Sequence, residues 1–165
     1  MFWKTEGKAM KEVISKPLSQ QGKKEGLVEE WIKRNPSFLH EDLLIFSQQY
    51  KFPSGEQADL MGIDENGSLV IIEIKRGKTG KKVDIQSLKY ASYISNWNYD
   101  NIEKIAKHFF DNNPDLLEEE FHSLTTLLQE SFGEEFSVEN LNKRQRIIIV
   151  GQRIDVRIGS VILWL

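Results

Sequence analysis

Eight residues constrain this chain more than any others: Leu69-Val-Ile-Ile-Glu-Ile-Lys-Arg76. The apolar, β-branched run reads as a buried strand, yet a carboxylate and an amine interrupt it two residues apart. Alternate residues of a strand share a face, so Glu73 and Lys75 project together. Charges persist in buried strands when they are paired or hold a cation. The run therefore demands a sheet around it and a chemical use for its polar end.

The residues before it supply the partner strand. Gln57 to Ile63 and Ser68 to Lys75 flank Asp64-Glu-Asn-Gly67, a strong hairpin signal. If Gly67 takes the left-handed position of a three-residue loop with a bulge, Asp64 lies opposite Ser68 and Asp59 opposite Glu73. A two-residue Asn66-Gly67 turn would set Asp59 against Ile74 and separate the acids. The longer loop is the expected one.

The remaining chain reads as a single domain over 1–165, with its core at 25–96. A hairpin is expected at 2–14 around Gly7-Lys8. A helix follows at 25–34, with Leu27, Val28, Trp31 and Ile32 as its apolar stripe, ended by Asn35-Pro36. Leu43-Leu-Ile-Phe46 reads as a strand that continues through Gln48 to Phe52. Val83 to Asn96 is a helix with Ile85, Leu88, Ala91 and Ser92 toward the core, and Gln86 and Tyr90 on a neighbouring face. Helical patterns follow at about 100–110 and 114–131 in an acidic segment spanning 100–142. A strand at 146–151 and a helix capped by Asp155 and carrying Ile158, Val161, Ile162 and Leu165 complete 146–165. The apolar Trp164-Leu165 end is expected to meet a further C-terminal strand or domain, or a partner such as a second copy. The fold class is α/β.

Composition narrows the chemistry. The chain has no Cys, which excludes disulfides, zinc–thiolate sites and Cys nucleophiles. No apolar run approaches the roughly 20 residues of a membrane span, and the N-terminus does not resemble a signal peptide, so the cytoplasm is expected. Net charge is −3, but its distribution is uneven. Lys75, Arg76, Lys78, Lys81, Lys82 and Lys89 face one acid, Asp84, whereas 109–142 holds nine Asp or Glu and no Lys or Arg. Arg76, Lys78, Lys81, Lys82 and Lys89 are the candidates for meeting a nucleic-acid backbone, with the acidic segment turned away. Two solvated surfaces of opposite sign are the plainer reading of the charges alone. His40, His108 and His122 have no paired spacing for a transition metal. Trp3, Trp31 and Trp164 read as core, and Trp97 as a residue placed to stack on a base.

The constellation matches what a divalent cation needs for phosphodiester hydrolysis: rigid, hard oxygen ligands and a water to deprotonate. Asp59 and Glu73 supply two carboxylates, and the Ile74 carbonyl a third oxygen. Lys75 can orient the water and neutralise charge on the phosphate. A helix acid, Glu29 or Glu30, can complete the shell, and the helical wheel does not separate the two. Gln86 and Tyr90 sit at the rim. The competing reading is a structural Glu73–Lys75 ion pair with Asp59 stabilising a turn. Three polar groups aligned across two apolar strands favour a shared purpose.

These residues resemble the PD-(D/E)XK nucleases. The matching motif is Asp59, thirteen residues, then Glu73-Ile74-Lys75, followed on a helix by Gln86-Ser-Leu-Lys-Tyr90, which is similar to the Gln-xxx-Tyr motif of the RecB-like branch. The RecB-like and NucS-like group is also similar at Leu27 to Pro36, Ala58 to Gly67, Val70 to Arg76 and Asn142 to Val150. The Pro that often precedes the first motif Asp is replaced by Gln57-Ala58. The resemblance implies a restriction-endonuclease-like core, a central mixed sheet flanked by helices, and Mg²⁺- or Mn²⁺-dependent cleavage of DNA, with RNA as an open substrate. It places the helix acid on Glu29. The alternative is a nuclease-like module that binds nucleic acid, or a protein partner through its acidic helices, without cutting.

Overall fold

A computed structural model describes residues 2–6, 9–13, 25–78 and 82–153 of the 165-residue chain. Strands β1 (Phe2–Glu6) and β2 (Ala9–Val13) pair antiparallel from Phe2↔Val13 to Glu6↔Ala9, the hairpin expected around Gly7-Lys8. The main sheet has four strands in the order β3 (Leu43–Lys51), β4 (Gln57–Asp64), β5 (Leu69–Lys78) and β6 (Gln145–Arg153). Neighbours β3–β4 and β4–β5 are antiparallel, and β5–β6 is parallel. The sheet is therefore mixed, and helices flank it, as the α/β reading expects. Among the described residues no helix is long and apolar enough to cross a membrane.

Leu69, Val70, Ile71 and Ile72 are wholly buried. Burial on both faces explains why β5 is a continuous apolar run rather than an alternating one. Helix α1 (Glu25–Arg34) packs on β5, β3 and β4, and α2 (Lys82–Ile94) packs on β5 and β6. Helix α3 (Tyr99–Asp111) lies on β3. It starts in a reciprocal Asn98–Asn101 capping box and buries Ile102, Ala106, Phe109 and Phe110 at helical spacing.

Several expectations need correcting. Helix α4 is Leu124–Phe132, not a continuous 114–131. Pro114–Leu116 forms only a single 3-10 turn, and a helix continued from it would set Asp115 at i,i+3 and i,i+4 from Glu118 and Glu119, like-charge pairs that disfavour it. Ser123 then accepts the Thr126 N–H and starts α4. On α2 the buried face is Ser87, Tyr90 and Ile94; Leu88 and Ser92 are exposed, and Ala91 is half-buried. The reason is that Tyr90 is drawn inward by stacking on Phe52, with ring centroids 4.9 Å apart. Trp31 is exposed rather than core, because Val28, Glu29, Ile32 and Lys33 occupy the inward face of α1. Trp97 packs edge-on against Tyr50 at 5.2 Å. The helix proposed at 155–165, and the side chains of Trp3, Ile85 and Trp164, lie outside the described residues.

The β4–β5 hairpin takes the longer loop. Gly67 has φ +80°, and the pairs Ile63↔Leu69 to Leu60↔Ile72 set the expected register. Asp64 Oδ1 accepts the Ser68 N–H at 2.8 Å and the Asn66 N–H at 3.0 Å. Arg146 on β6 bonds Asp64 Oδ2 at 3.0 Å and Glu41 at 2.9 Å, closing this end of the sheet.

Candidate active site

At the other end of the hairpin the strands part. Their ladder ends at Leu60↔Ile72, and one step further the register sets Asp59 against Glu73. The Asp59 side chain takes over there: its Oδ2 accepts the Ile74 N–H at 2.7 Å. A side chain thus replaces a backbone acceptor, turning its carboxylate toward β5 and its neighbour Glu73.

Glu73 is 1% exposed. The Lys75 Nζ lies 2.6 Å from its Oε1, and the Asp59 backbone also favours its charged form. Together these contacts offset only part of the desolvation. Burial accordingly pushes the Glu73 carboxyl above its ordinary range, the Lys75 ammonium opposes the shift, and the Asp59 charge adds to it. Lys75 Nζ also stands 3.8 Å from Asp59 Oδ2. Two carboxylates and an ammonium thus meet where β4 and β5 separate.

This donor set fits a hard divalent cation. A buried carboxylate whose desolvation one ammonium offsets only in part is what a cation would satisfy. Among the described residues no three Asp, Glu or His side chains form a ready-made cage. Mg²⁺ does not require one, since it keeps several waters and is commonly held by one or two carboxylates. Asp59 and Glu73 are the residues that would hold it, with the Ile74 carbonyl on the same strand segment.

Glu29 is buried on α1, and Gln49 Nε2 donates to its Oε2 at 2.6 Å, with Gln48 Nε2 at 3.4 Å. Glu30 instead pairs with Lys33 and Arg34, which lower its pKa. The structure thus separates the two acids: only Glu29 faces the sheet.

Tyr90 and Gln86 form a brace. Gln86 Nε2 donates to the Tyr90 hydroxyl, which donates to the Gln57 carbonyl at 2.7 Å, two residues before Asp59. Burial raises the Tyr90 pKa, and the charges of Glu73 and Glu56 raise it further. The phenol is therefore a neutral donor near the acids, built into the core rather than lying at a rim.

Of the basic candidates, Lys89 is exposed and lies 3.3 Å from Glu56. The side chains of Arg76, Lys78, Lys81 and Lys82 lie outside the described residues. Sequence reasoning missed Gln48, Gln49 and Gln57. Two adjacent amides inside the strand pattern 43–52 were the available signal. It also missed Asn142, whose amide donates to the Ile94 and Trp97 carbonyls at 2.8 Å and ties α2 to the approach of β6.

The profile of the endonuclease NucS C-terminal domain matches residues 24–110, more than half of the chain. Endonuclease NucS of Methanocaldococcus jannaschii is 33% identical over 67 residues, covering 41% of this chain and 25% of that protein. Endonuclease NucS of Aeropyrum pernix is 50% identical over 38 residues, covering 23% and 14% respectively. The chain thus spans a quarter or less of these relatives' length. A repair endonuclease from Pyrococcus abyssi superposes with a TM-score of 0.46 at 17% identity, over 93% of this chain and 46% of that one. An EndoMS–dsDNA2 complex gives 0.39 at 16%, over 91% and 44%.

Proposed function

Because the chain belongs to the family of endonuclease NucS C-terminal domains, we propose that it is a Mg²⁺- or Mn²⁺-dependent PD-(D/E)XK nuclease domain that hydrolyses DNA phosphodiester bonds. The observation that carries this reading is the buried Glu73 carboxylate beside Asp59 and Lys75 where two strands part. Asp59 and Glu73 would hold the cation, with the Ile74 carbonyl as a further oxygen. When bound, such an ion supplies Lewis acidity to the phosphoryl group and acidity to a water. Lys75 orients the attacking water and neutralises charge that develops on the phosphate. Tyr90 and Gln86 are positioning residues that hold the start of β4, and so Asp59, in place. Arg76, Lys78, Lys81, Lys82 and Lys89 supply sequence-independent attraction for the phosphate backbone. The cysteine-free chain suits a reducing, cytoplasmic setting.

The test is cleavage of single-stranded, double-stranded and branched DNA, and of RNA, with and without Mg²⁺ or Mn²⁺. Metal-dependent DNA cleavage is expected, and Lys75→Ala should reduce it by roughly 100-fold or more while the circular-dichroism spectrum of the folded protein is retained. Wild-type protein that binds DNA without cutting it would favour the non-cleaving module. Undiminished cutting by Lys75→Ala would remove the lysine from the mechanism.

A further inference from the structure

Among the described residues of the four-stranded sheet, Gln49 alone holds a left-handed conformation without being glycine: its φ is +53°. Such backbone costs on the order of 1–3 kcal/mol and persists where the surroundings over-determine it. Here they do. The pairs on either side, Gln48↔Leu60 and Tyr50↔Ala58, place Gln49 across from Asp59. Asp59 is in turn across from Glu73, so the three residues form one row over β3, β4 and β5.

A line of hydrogen bonds ends on this residue from two directions. Gln86 donates to Tyr90, and Tyr90 to the Gln57 carbonyl at 2.7 Å. Gln57 Nε2 then donates to the Gln49 carbonyl at 2.7 Å, and Gln49 Nε2 to Glu29 Oε2 at 2.6 Å. The line runs from α2 across the start of β4 and the end of β3 to the buried acid of α1. Surface order alone would not select a strained glutamine for this place, whereas holding the buried Glu29 carboxylate does.

We propose that Gln49 is a positioning residue: it holds the Glu29 carboxylate toward the Asp59–Glu73 pair, where Glu29 adds to the field on a bound divalent cation without closing a three-acid cage, and Gln57 fixes Gln49 in turn. The proposal rests on the cation-dependent reading above. It extends that reading to residues that need not touch the ion.

Substitution can separate this role from a merely structural one. Glycine suits φ +53°, so Gln49→Gly removes the amide while keeping the backbone conformation. The readouts are Mn²⁺ affinity by calorimetry and the metal-free melting temperature, on wild type, Gln49→Gly, Glu29→Gln, Asp59→Ala and the double variant Gln49→Gly/Glu29→Gln. Gln49→Gly should keep its metal-free melting temperature within about 3 °C and lose ~10-fold in Mn²⁺ affinity, the usual effect of removing a residue that orients a ligand. Glu29→Gln should lose at least as much, and the double variant no more than Glu29→Gln. Gln57→Ala, on an exposed side chain, should give a smaller loss of the same sign. Wild-type affinity in Gln49→Gly, or additive losses in the double variant, would overturn the proposal. If wild type binds no Mn²⁺, or Asp59→Ala binds it equally well, the cation-dependent reading itself falls.

Discussion

Glu73 carries an ionised group in surroundings that disfavour it, and this has a definite sign. Its folded-state pKa lies above the ordinary value of 4.5, because burial outweighs the Lys75 ammonium. A raised carboxyl pKa means that the native state favours the protonated form. Stability is therefore lost as pH rises from the ordinary value through the raised one, and that cost persists at neutral pH. In metal-free protein Glu73→Gln should accordingly melt higher than wild type at pH 7, and the advantage should vanish below the ordinary carboxylate range. Added Mn²⁺ should raise the melting temperature of wild type and leave Glu73→Gln unmoved. A lower melting temperature for Glu73→Gln at pH 7 would mean that the Lys75 contact outweighs the desolvation. The price of holding a charge here is thus read in stability, and a bound cation is what offsets it.

Among the elements, the β4–β5 hairpin does most to bring Asp59 to Glu73, and its register depends on Gly67. At φ +80° any other residue is strained, and a Cβ there would meet the Asn140 backbone at 3.0 Å. Gly67→Ala should cost about 2 kcal/mol from these two sources, seen as a melting temperature roughly 4–8 °C lower. The hairpin was legible in the sequence because its signals are local: a turn tetrapeptide, alternation on one side and an apolar run on the other. The two-acid row followed from that register alone. The buried face of α2 was not legible, because Tyr90 is drawn inward by Phe52, more than thirty positions away. Gln49 was hidden for the same reason, since a left-handed glutamine inside a strand has no local signature. The choice between Glu29 and Glu30 turned on which amides face α1, and Gln48 and Gln49 come from a different strand.

At the scale of the whole molecule, every residue placed at the site lies between Glu29 and Tyr90, whereas β6 enters only at Gln145 after two further helices. Asn142 joins these parts: its N–H donates to the Gly67 carbonyl at 2.8 Å and its side chain binds the Ile94 and Trp97 carbonyls. Asn142→Ala removes three side-chain bonds, the two it donates and the one it accepts from Gln145 Nε2, and costs a further strain at φ +61°, together on the order of 2 kcal/mol. The expected result is a melting temperature lowered by roughly 4–8 °C with Mn²⁺ affinity unchanged, because no site residue bonds Asn142. A parallel loss of affinity would show that the site depends on β6 docking.

The Ile74 amide, held by Asp59 Oδ2 and not by a strand, has a consequence of its own. Elsewhere along β5 an amide proton is guarded by the ladder and exchanges with solvent only when strands open. At Ile74 the guard is one carboxylate, which can be protonated, drawn to a cation or removed without unzipping anything. The exchange rate of that single proton is therefore a built-in gauge of what Asp59 is doing.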